Sequence, residues 1–283
     1  MRLAVLTVVV MVAFAANSVL NRMAVGGGAI DALSFAQLRL IAGAVTLLAL
    51  CHWRGQSLVQ SSRLSLAGGA SLTLYMIGFS LAYQSLDAGL GALVLFGVVQ
   101  ITMFGWGRLR GSPVATGQVA GAALAFAGLA YVVWPAGDVQ VSLAGAGFMA
   151  AAGLGWAIYS LIGRQARSPL GATTVNFLWA TGMALPVAWA LGGLAAFSLA
   201  GGVLAVLSGA VTSGMGYALW YRVLPQLEPS VAATVQLSVP VIAMGAGVIG
   251  LGEVLGPRLI LGSLTILGGI ALVIRAAPRQ RVA

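Results

Sequence analysis

The side chains able to do covalent chemistry are few and poorly placed for it. The sequence holds one histidine, His52, and one cysteine, Cys51, next to each other. Its five acids, Asp31, Asp87, Asp138, Glu228 and Glu253, fall in predicted loops or at helix ends. A nucleophile needs a base within reach, and a metal needs several ligands in one place. Neither can be assembled from this set, so no catalytic residue, metal or cofactor is expected. A membrane-embedded enzyme is kept only as the alternative of another class. Cys51 has no partner for an internal disulfide and reads as a packing residue. His52, followed by Trp53 and Arg54, reads as interfacial.

The chemistry that remains is non-covalent recognition. Polar residues inside long apolar runs are informative, because their alternative is costly exposure to hydrocarbon. They are Asn17, Ser18, Asn21, Gln37, Arg39, Gln100, Thr102, Asn176, Gln236 and Ser238. Arg39 lies about seven residues into its run, where an uncompensated arginine costs roughly 2.5–3.5 kcal/mol. It can grip a carboxylate through two parallel hydrogen bonds; the alternatives are snorkelling to the interface or pairing with Asp31, Asp87 or Asp138. Aromatic residues recur at helical spacing: Tyr75, Phe79 and Tyr83 form one stripe, Trp156 and Tyr159 a second, and Tyr217, Trp220 and Tyr221 a third, with Trp220 on a different face. Such rings either pack a core or line a cavity that binds apolar and aromatic groups by area and stacking. The candidate substrate-binding residues are therefore Asn17, Gln37, Arg39, Tyr75, Phe79, Tyr83, Gln100, Trp156, Tyr159, Tyr217 and Gln236.

The elements that must position them are membrane helices. Of the 283 residues, 60% are hydrophobic and 7% charged, too little charge to solvate a water-soluble domain of this size. Ten runs of about 20 residues, the length that crosses a ~30 Å hydrocarbon core, are predicted over 3–24, 32–52, 64–85, 88–107, 115–134, 143–164, 172–191, 202–223, 229–250 and 257–275. The start of the first run imitates a secretory leader, but the run continues through Asn17 to Ala24 and its pattern recurs later, so it is read as a span. All 14 basic residues are arginine. With a cytoplasmic N-terminus, eleven of them (Arg2, Arg54, Arg63, Arg108, Arg110, Arg164, Arg167, Arg222, Arg275, Arg279 and Arg281) face inward, and only Arg22 and Arg258 face outward. The positive-inside rule selects this orientation, with both termini cytoplasmic and the inner (plasma) membrane as the location. The net charge of +9 is explained by this topology and by contact with anionic lipid rather than by nucleic acid. Trp53, Trp106, Trp134 and Trp189, near helix ends, read as interfacial anchors. Pro186 and Pro240 lie inside predicted spans, where each can bend its helix.

The chain resembles itself at an offset of about 140 residues. Phe14-Ala15-Ala16-Asn17-Ser18 to Arg22 aligns with Trp156-Ala157-Ile158-Tyr159-Ser160 to Arg164, and Gly78-Phe79-Ser80-Leu81-Ala82-Tyr83 with Gly216-Tyr217-Ala218-Leu219-Trp220-Tyr221. Gly121 and Gly128 align with Gly262 and Gly269. Two units follow, 1–136 and 137–283, in one membrane domain. Each has five spans, an odd number, so the second enters the membrane from the opposite side. Inverted repeats of this kind recur in secondary transporters, where exchanging the conformations of the halves moves the opening from one side to the other.

These segments resemble the drug/metabolite transporter superfamily, in particular its ten-helix EamA-type members. The resemblance rests on Phe14-Ala15-Ala16-Asn17-Ser18, on Phe35-Ala36-Gln37-Leu38-Arg39, on Tyr217-Ala218-Leu219-Trp220-Tyr221, and on Pro240 through Leu251-Gly252-Glu253. In the first unit Gly107-Arg108 stands where a second Leu-Gly-Glu belongs, so any role of that acid is left to Glu253. Within the superfamily the chain looks most like the YddG-type amino acid exporters. The resemblance implies export of a small metabolite, an aromatic or other neutral amino acid, by alternating access; drugs, sugars and other metabolites of the superfamily are the alternatives. A monomer is expected, with homodimerisation through the small-residue faces of helices 5 and 10 (Gly117, Gly121, Gly262, Gly268, Gly269) as the alternative. With no acid in the middle of a span, facilitated or weakly coupled export is expected over carboxylate-driven exchange.

Overall fold

The fold is known from a computed structural model that describes residues 2–58, 62–110, 115–134, 141–163, 166, 168–193, 197–223, 226–227 and 235–276. Among these residues the chain is helical, without strands: α1 Arg2–Asn21, α2 Ala32–Trp53, α3 Ser62–Ala82, α4 Ala88–Leu109, α5 Thr116–Val133, α6 Leu143–Gly163, α7 Pro169–Ala190, α8 from Leu199 to Val223, α9 Ser238–Leu251 and α10 Pro257–Arg275. Seven helical stretches are long and apolar enough to cross a membrane, and those of α5 and α9 are apolar but shorter.

Helix starts follow local chemistry. The Asp31 carboxylate accepts from the Leu33 and Ser34 amides at 3.0 and 2.9 Å, and the Ser198 hydroxyl accepts from the Gly201 amide at 3.1 Å, satisfying donors that a first turn leaves open. Pro169 and Pro257 open α7 and α10, where a missing amide hydrogen costs nothing. Pro240 sits in the first turn of α9, which begins at Ser238; a turn at Leu237 separates that start from helical Val235 and Gln236, so the span is interrupted within one turn of the proline, as its missing amide hydrogen and its ring favour. The predicted start of that span at 229 lies outside the described residues. Pro186 is inside α7, as expected.

The burial pattern departs from that of a water-soluble protein: beside a buried apolar core, large apolar side chains cover the outside and several polar groups lie inside. Leu199, Ile249, Val254 and Leu264 are exposed, while Asn17, Asn21, Gln37, Arg39, Asn176, Ser208 and Ser213 are buried. Apolar surface facing outward and polar groups facing inward suit a hydrocarbon solvent, in which every polar group must find a partner in the protein. Trp53, Trp134 and Trp189 are exposed at helix ends, where indole rings settle at the membrane interface.

Interhelix packing ties the first five helices to the second five. α3 lies along α6, α5 along α10, and α2 along both α7 and α8; α3 also meets α7, α4 meets α6 and α9, and α1 meets α8 and α9. Glycine permits the closest of these approaches. A Cβ on Gly155 would stand 2.6 Å from the Ser71 carbonyl of α3, and one on Gly78 would stand 2.7 Å from the Phe148 carbonyl of α6. Gly121 and Gly269 face each other in the same way, each 2.6 Å from the other's carbonyl. The small-residue faces of α5 and α10 thus meet within the chain, and Gly121, Gly262 and Gly269 are not available for a dimer contact.

Two π-helical segments break the regular pattern, Arg22–Gly26 at the end of α1 and Ser208–Met215 in the middle of α8. Such wide turns are rare and cluster at functional sites.

Candidate functional site

A narrow cavity lies among α1, α3, α4, α6 and α8. Its walls are Phe14, Asn17, Ser18, Tyr75, Phe79, Leu95, Phe96, Trp156 and Tyr217. Both halves of the chain contribute. The free space is of the order of one water molecule, so a metabolite can occupy it only if the rings part. The Trp156 ring lies 5.9 Å from Phe14, 5.0 Å from Tyr75 and 5.0 Å from Tyr217, and Tyr75 lies 5.3 Å from Phe79. Contacts at these separations contribute about 0.5–1.5 kcal/mol each beyond area burial. Tyr159 extends the cluster behind Trp156 at 5.6 Å, with its hydroxyl donating to Thr173 Oγ1 at 3.3 Å. Tyr83 closes the other end of the stripe, 4.8 Å from Phe79 and donating to the Ala88 carbonyl.

Arg39 stands directly behind two of these walls. Its side chain is fully buried, and its guanidinium carbon is 5.4 Å from the Tyr75 ring and 5.0 Å from the Phe79 ring. Nε donates to Ser213 Oγ at 2.9 Å and Nη2 to the Tyr75 hydroxyl at 3.1 Å. Nη1, buried as well, meets no hydrogen-bond partner among the described residues. Its burial sets aside the alternative that Arg39 snorkels, and two of the three acids named as partners are engaged elsewhere: Asp31 caps α2 and Asp87 pairs with Arg22, while Asp138 lies outside the described residues. The charge is balanced by ring faces and neutral oxygens. A ring face contributes about 0.5–2 kcal/mol and a hydrogen bond to a charged group about 1.5–3 kcal/mol, whereas a buried, unpaired donor costs about 1–3 kcal/mol.

The π-helical segment of α8 supplies the oxygens. Ser208, Thr212 and Ser213 all donate to Asn17 Oδ1, at 2.8, 2.5 and 3.3 Å, and Asn17 Nδ2 reaches the Thr212 carbonyl at 3.4 Å. One network therefore runs from Tyr75 on α3 through Arg39 on α2 and Ser213 on α8 to Asn17 on α1. Gly209 makes the approach feasible, because a Cβ there would collide with the Arg39 carbonyl.

Five of the predicted residues, Asn17, Tyr75, Phe79, Trp156 and Tyr217, come together on the cavity wall, with Arg39, Tyr83 and Tyr159 packed against it. The three glutamines do not join them. Gln37 is buried but turned to α7, where Nε2 donates to the Thr181 carbonyl at 3.2 Å; Gln100 is half-exposed on α4, and Gln236 is half-buried just before α9. The Tyr221 side chain lies outside the described residues. Sequence reasoning missed Phe14, Leu95 and Phe96 as wall residues, and Ser208, Thr212 and Ser213 as the acceptors and donors that hold Asn17 and Arg39. The hydroxyls had a legible signal, a run of small polar residues in the middle of an apolar helix.

A second polar cluster lies where α1 ends. Arg22 Nη2 contacts Asp87 Oδ1 at 3.2 Å, Arg22 Nε is 3.8 Å from Glu253 Oε1, and Arg22 Nη1 donates to the Tyr83 carbonyl at 3.3 Å. Glu253 Oε1 also accepts from the Ala88 amide at 2.8 Å, at the start of α4. Burial holds the Glu253 carboxyl above its ordinary pKa, and the neighbouring Asp87 adds to this; the Ala88 amide and Arg22 pull it back down.

The sequence matches the EamA-like transporter family over residues 143–275. It is 45% identical over 278 residues to uncharacterized protein PA1977 of Pseudomonas aeruginosa, covering 98% of this chain and 96% of that protein. It is 26% identical over 257 residues to the uncharacterized transporter YwfM of Bacillus subtilis, covering 88% and 86%. A solved crystal structure superposes with a TM-score of 0.68 at 20% identity, covering 95% of this chain and 97% of the other, so the two share a fold. A helical bundle with an apolar exterior, a cavity shared by both halves and these relatives place the chain in the EamA-like transporter family, as a membrane transporter of the drug/metabolite transporter superfamily.

Proposed function

We propose that the chain exports amino acids, aromatic or other neutral ones, by alternating access between two inverted five-helix units, 1–136 and 137–283, in the manner of the YddG-type exporters. It does so in the inner membrane as ten spans with both termini cytoplasmic. The observation that carries the reading is the cavity: aromatic rings from both units surround one narrow space, and a buried arginine with an unpartnered Nη1 stands behind its wall. An aromatic box binds an apolar side chain by area and stacking, and the guanidinium favours a carboxylate. The same charge disfavours a cationic drug, which would meet Arg39 with no acid beside it among the described residues.

The contact pattern supports the inverted repeat. When each helix is exchanged with the one five places along, α3 on α6 becomes α8 on α1, α4 on α6 becomes α9 on α1, and α3 on α7 becomes α8 on α2, all of which are present. The contacts α2 on α7, α4 on α9 and α5 on α10 map onto themselves. An approximate twofold relation of this kind lets the halves exchange roles.

The reading is tested by uptake of labelled phenylalanine, leucine and glutamate into proteoliposomes containing the purified protein, with labelled sugars and cationic dyes as comparators. Flux of the neutral amino acids above empty vesicles, and none of the dyes, is expected. Dye or sugar flux without amino acid flux moves the chain to the drug or sugar branch of its superfamily.

A further inference from the structure

The cluster at the end of α1 spans the two units. Arg22, Tyr83 and Asp87 belong to the first, and Glu253 to the second. Glu253 is brought there by a specific turn: Gly252 ends α9 in the left-handed region (φ 67°), the Glu253 amide donates to the Gly247 carbonyl at 3.1 Å, and the carboxyl folds back over Gly247, where any side chain would displace it. The result is a carboxyl inserted between the end of α9 and the first turn of α4. The opposite end of the bundle carries Arg54, Arg63, Arg108, Arg110, Arg222 and Arg275 and no acid among the described residues, so this arrangement belongs to one end only. In the orientation proposed above, that end faces outward.

We propose that Glu253 is a proton-binding site whose protonation holds the outer ends of the two units together, with Arg22 and Asp87 setting its affinity. This rests on the two-unit, alternating-access reading. The geometry decides the sign. The Glu253 side chain is 9% exposed, and its ion contact with Arg22 is long, because the shorter contact belongs to Asp87. Asp87 is in addition a like charge. An ionised Glu253 is therefore desolvated and weakly paired in the closed arrangement, and opening would return it to water. A protonated Glu253 keeps its bond from the Ala88 amide through Oε1 and leaves Arg22 to Asp87. The charged and titratable groups that face it are Arg22 from α1, Tyr83 from the end of α3 and Asp87 from the start of α4; Arg258, at the start of α10, is turned to the Tyr131 and Trp134 carbonyls.

The raised pKa of Glu253 agrees with this sign. A carboxyl that holds its proton more tightly when closed than in water makes closure most favourable below its ordinary pKa of 4.5, and that advantage is lost as pH rises through the raised value. Acid outside would thus close the outer end. An end-of-helix carboxyl can supply the pH response that the absence of a mid-span acid argued against.

The test needs no substrate. Spin labels are placed at exposed Gln84 and Val254, one in each unit, through Gln84→Cys and Val254→Cys in a Cys51→Ser background. Their distance distribution is measured in lipid nanodiscs from pH 4 to pH 9. A single short distance at low pH, joined by a longer one as pH rises, is expected. Glu253→Gln, which mimics the protonated acid, should stay short throughout. Asp87→Asn, which removes the like charge and frees Arg22 for Glu253, should move the midpoint to lower pH. A distribution that ignores pH, a Glu253→Gln protein that responds as the parent does, or a midpoint unmoved by Asp87→Asn would overturn the proposal. Amino acid flux with a pH-independent distance removes the proton site and leaves the function standing; a pH-dependent distance without amino acid flux does the reverse.

Discussion

Arg39 and Arg22 solve the same problem in opposite ways. Arg39, buried in the middle of the bundle, pairs with no acid among the described residues and is held by Ser213, the Tyr75 hydroxyl and two ring faces. Arg22, a quarter exposed at one end, has two carboxylates and a carbonyl. An ion pair in the middle would neutralise the guanidinium and compete with a substrate carboxylate. Neutral partners leave its charge available. At the end, where water is near, an ion pair costs less desolvation and can be broken and remade during a conformational cycle.

The contrast is broken most sharply at the centre. Arg39→Ala should reduce transport of phenylalanine roughly 10–100-fold, the equivalent of losing about 1.5–3 kcal/mol of charged hydrogen bonding, while the protein still elutes as a single folded species in detergent. Arg39→Lys should recover little, since one ammonium cannot span Ser213 and Tyr75 together. Unchanged flux in Arg39→Ala would reduce the residue to packing.

Next in size, Asn17→Ala removes the acceptor shared by Ser208, Thr212 and Ser213; Thr212 keeps the Ser208 carbonyl and Ser213 keeps Arg39, but the buried Ser208 hydroxyl loses its acceptor. A stability loss of about 1–3 kcal/mol is expected, visible as a lower thermal unfolding midpoint. Gly155→Val should cost a similar amount, about 1–3 kcal/mol, through overpacking of α6 against Ser71 and Tyr75. A midpoint within error of the parent in either variant would contradict the packing described here. The smallest effect belongs to the end cluster: Arg22→Ala should change stability at neutral pH by no more than about 1 kcal/mol, because the Arg22–Asp87 pair is partly exposed. A loss as large as that of Asn17→Ala would erase the distinction between the two arginines.

Much of this was legible in the sequence, for physical reasons that also mark the limits. Arg39 inside an apolar run had to avoid hydrocarbon by facing protein or water, and it faces protein. The four-residue spacing of Tyr75, Phe79 and Tyr83 put them on one face, and the matching segments around Phe14 and Trp156 proved to be neighbours. Periodicity says which residues share a face but not which faces meet, so Gln37 was credited to the cavity although it turns to Thr181. It also assumes a regular helix. The π-helical turns of Ser208–Met215 depart from that period, and the hydroxyls that hold Asn17 and Arg39 went unassigned. Snorkelling and burial of Arg39 could not be told apart in the sequence, because the neutral hydrogen-bonding pocket exists only once α8 is placed against α2.

The central claim, that the cavity takes a carboxylate beside an apolar body, is tested most directly by comparing uptake of labelled phenylalanine and of phenethylamine, its decarboxylated counterpart, in the same proteoliposomes. The account predicts phenylalanine uptake that falls in Arg39→Ala, with phenethylamine uptake at the level of empty vesicles. Equal uptake of the two compounds, or phenethylamine uptake that rivals phenylalanine and is indifferent to Arg39→Ala, would contradict it.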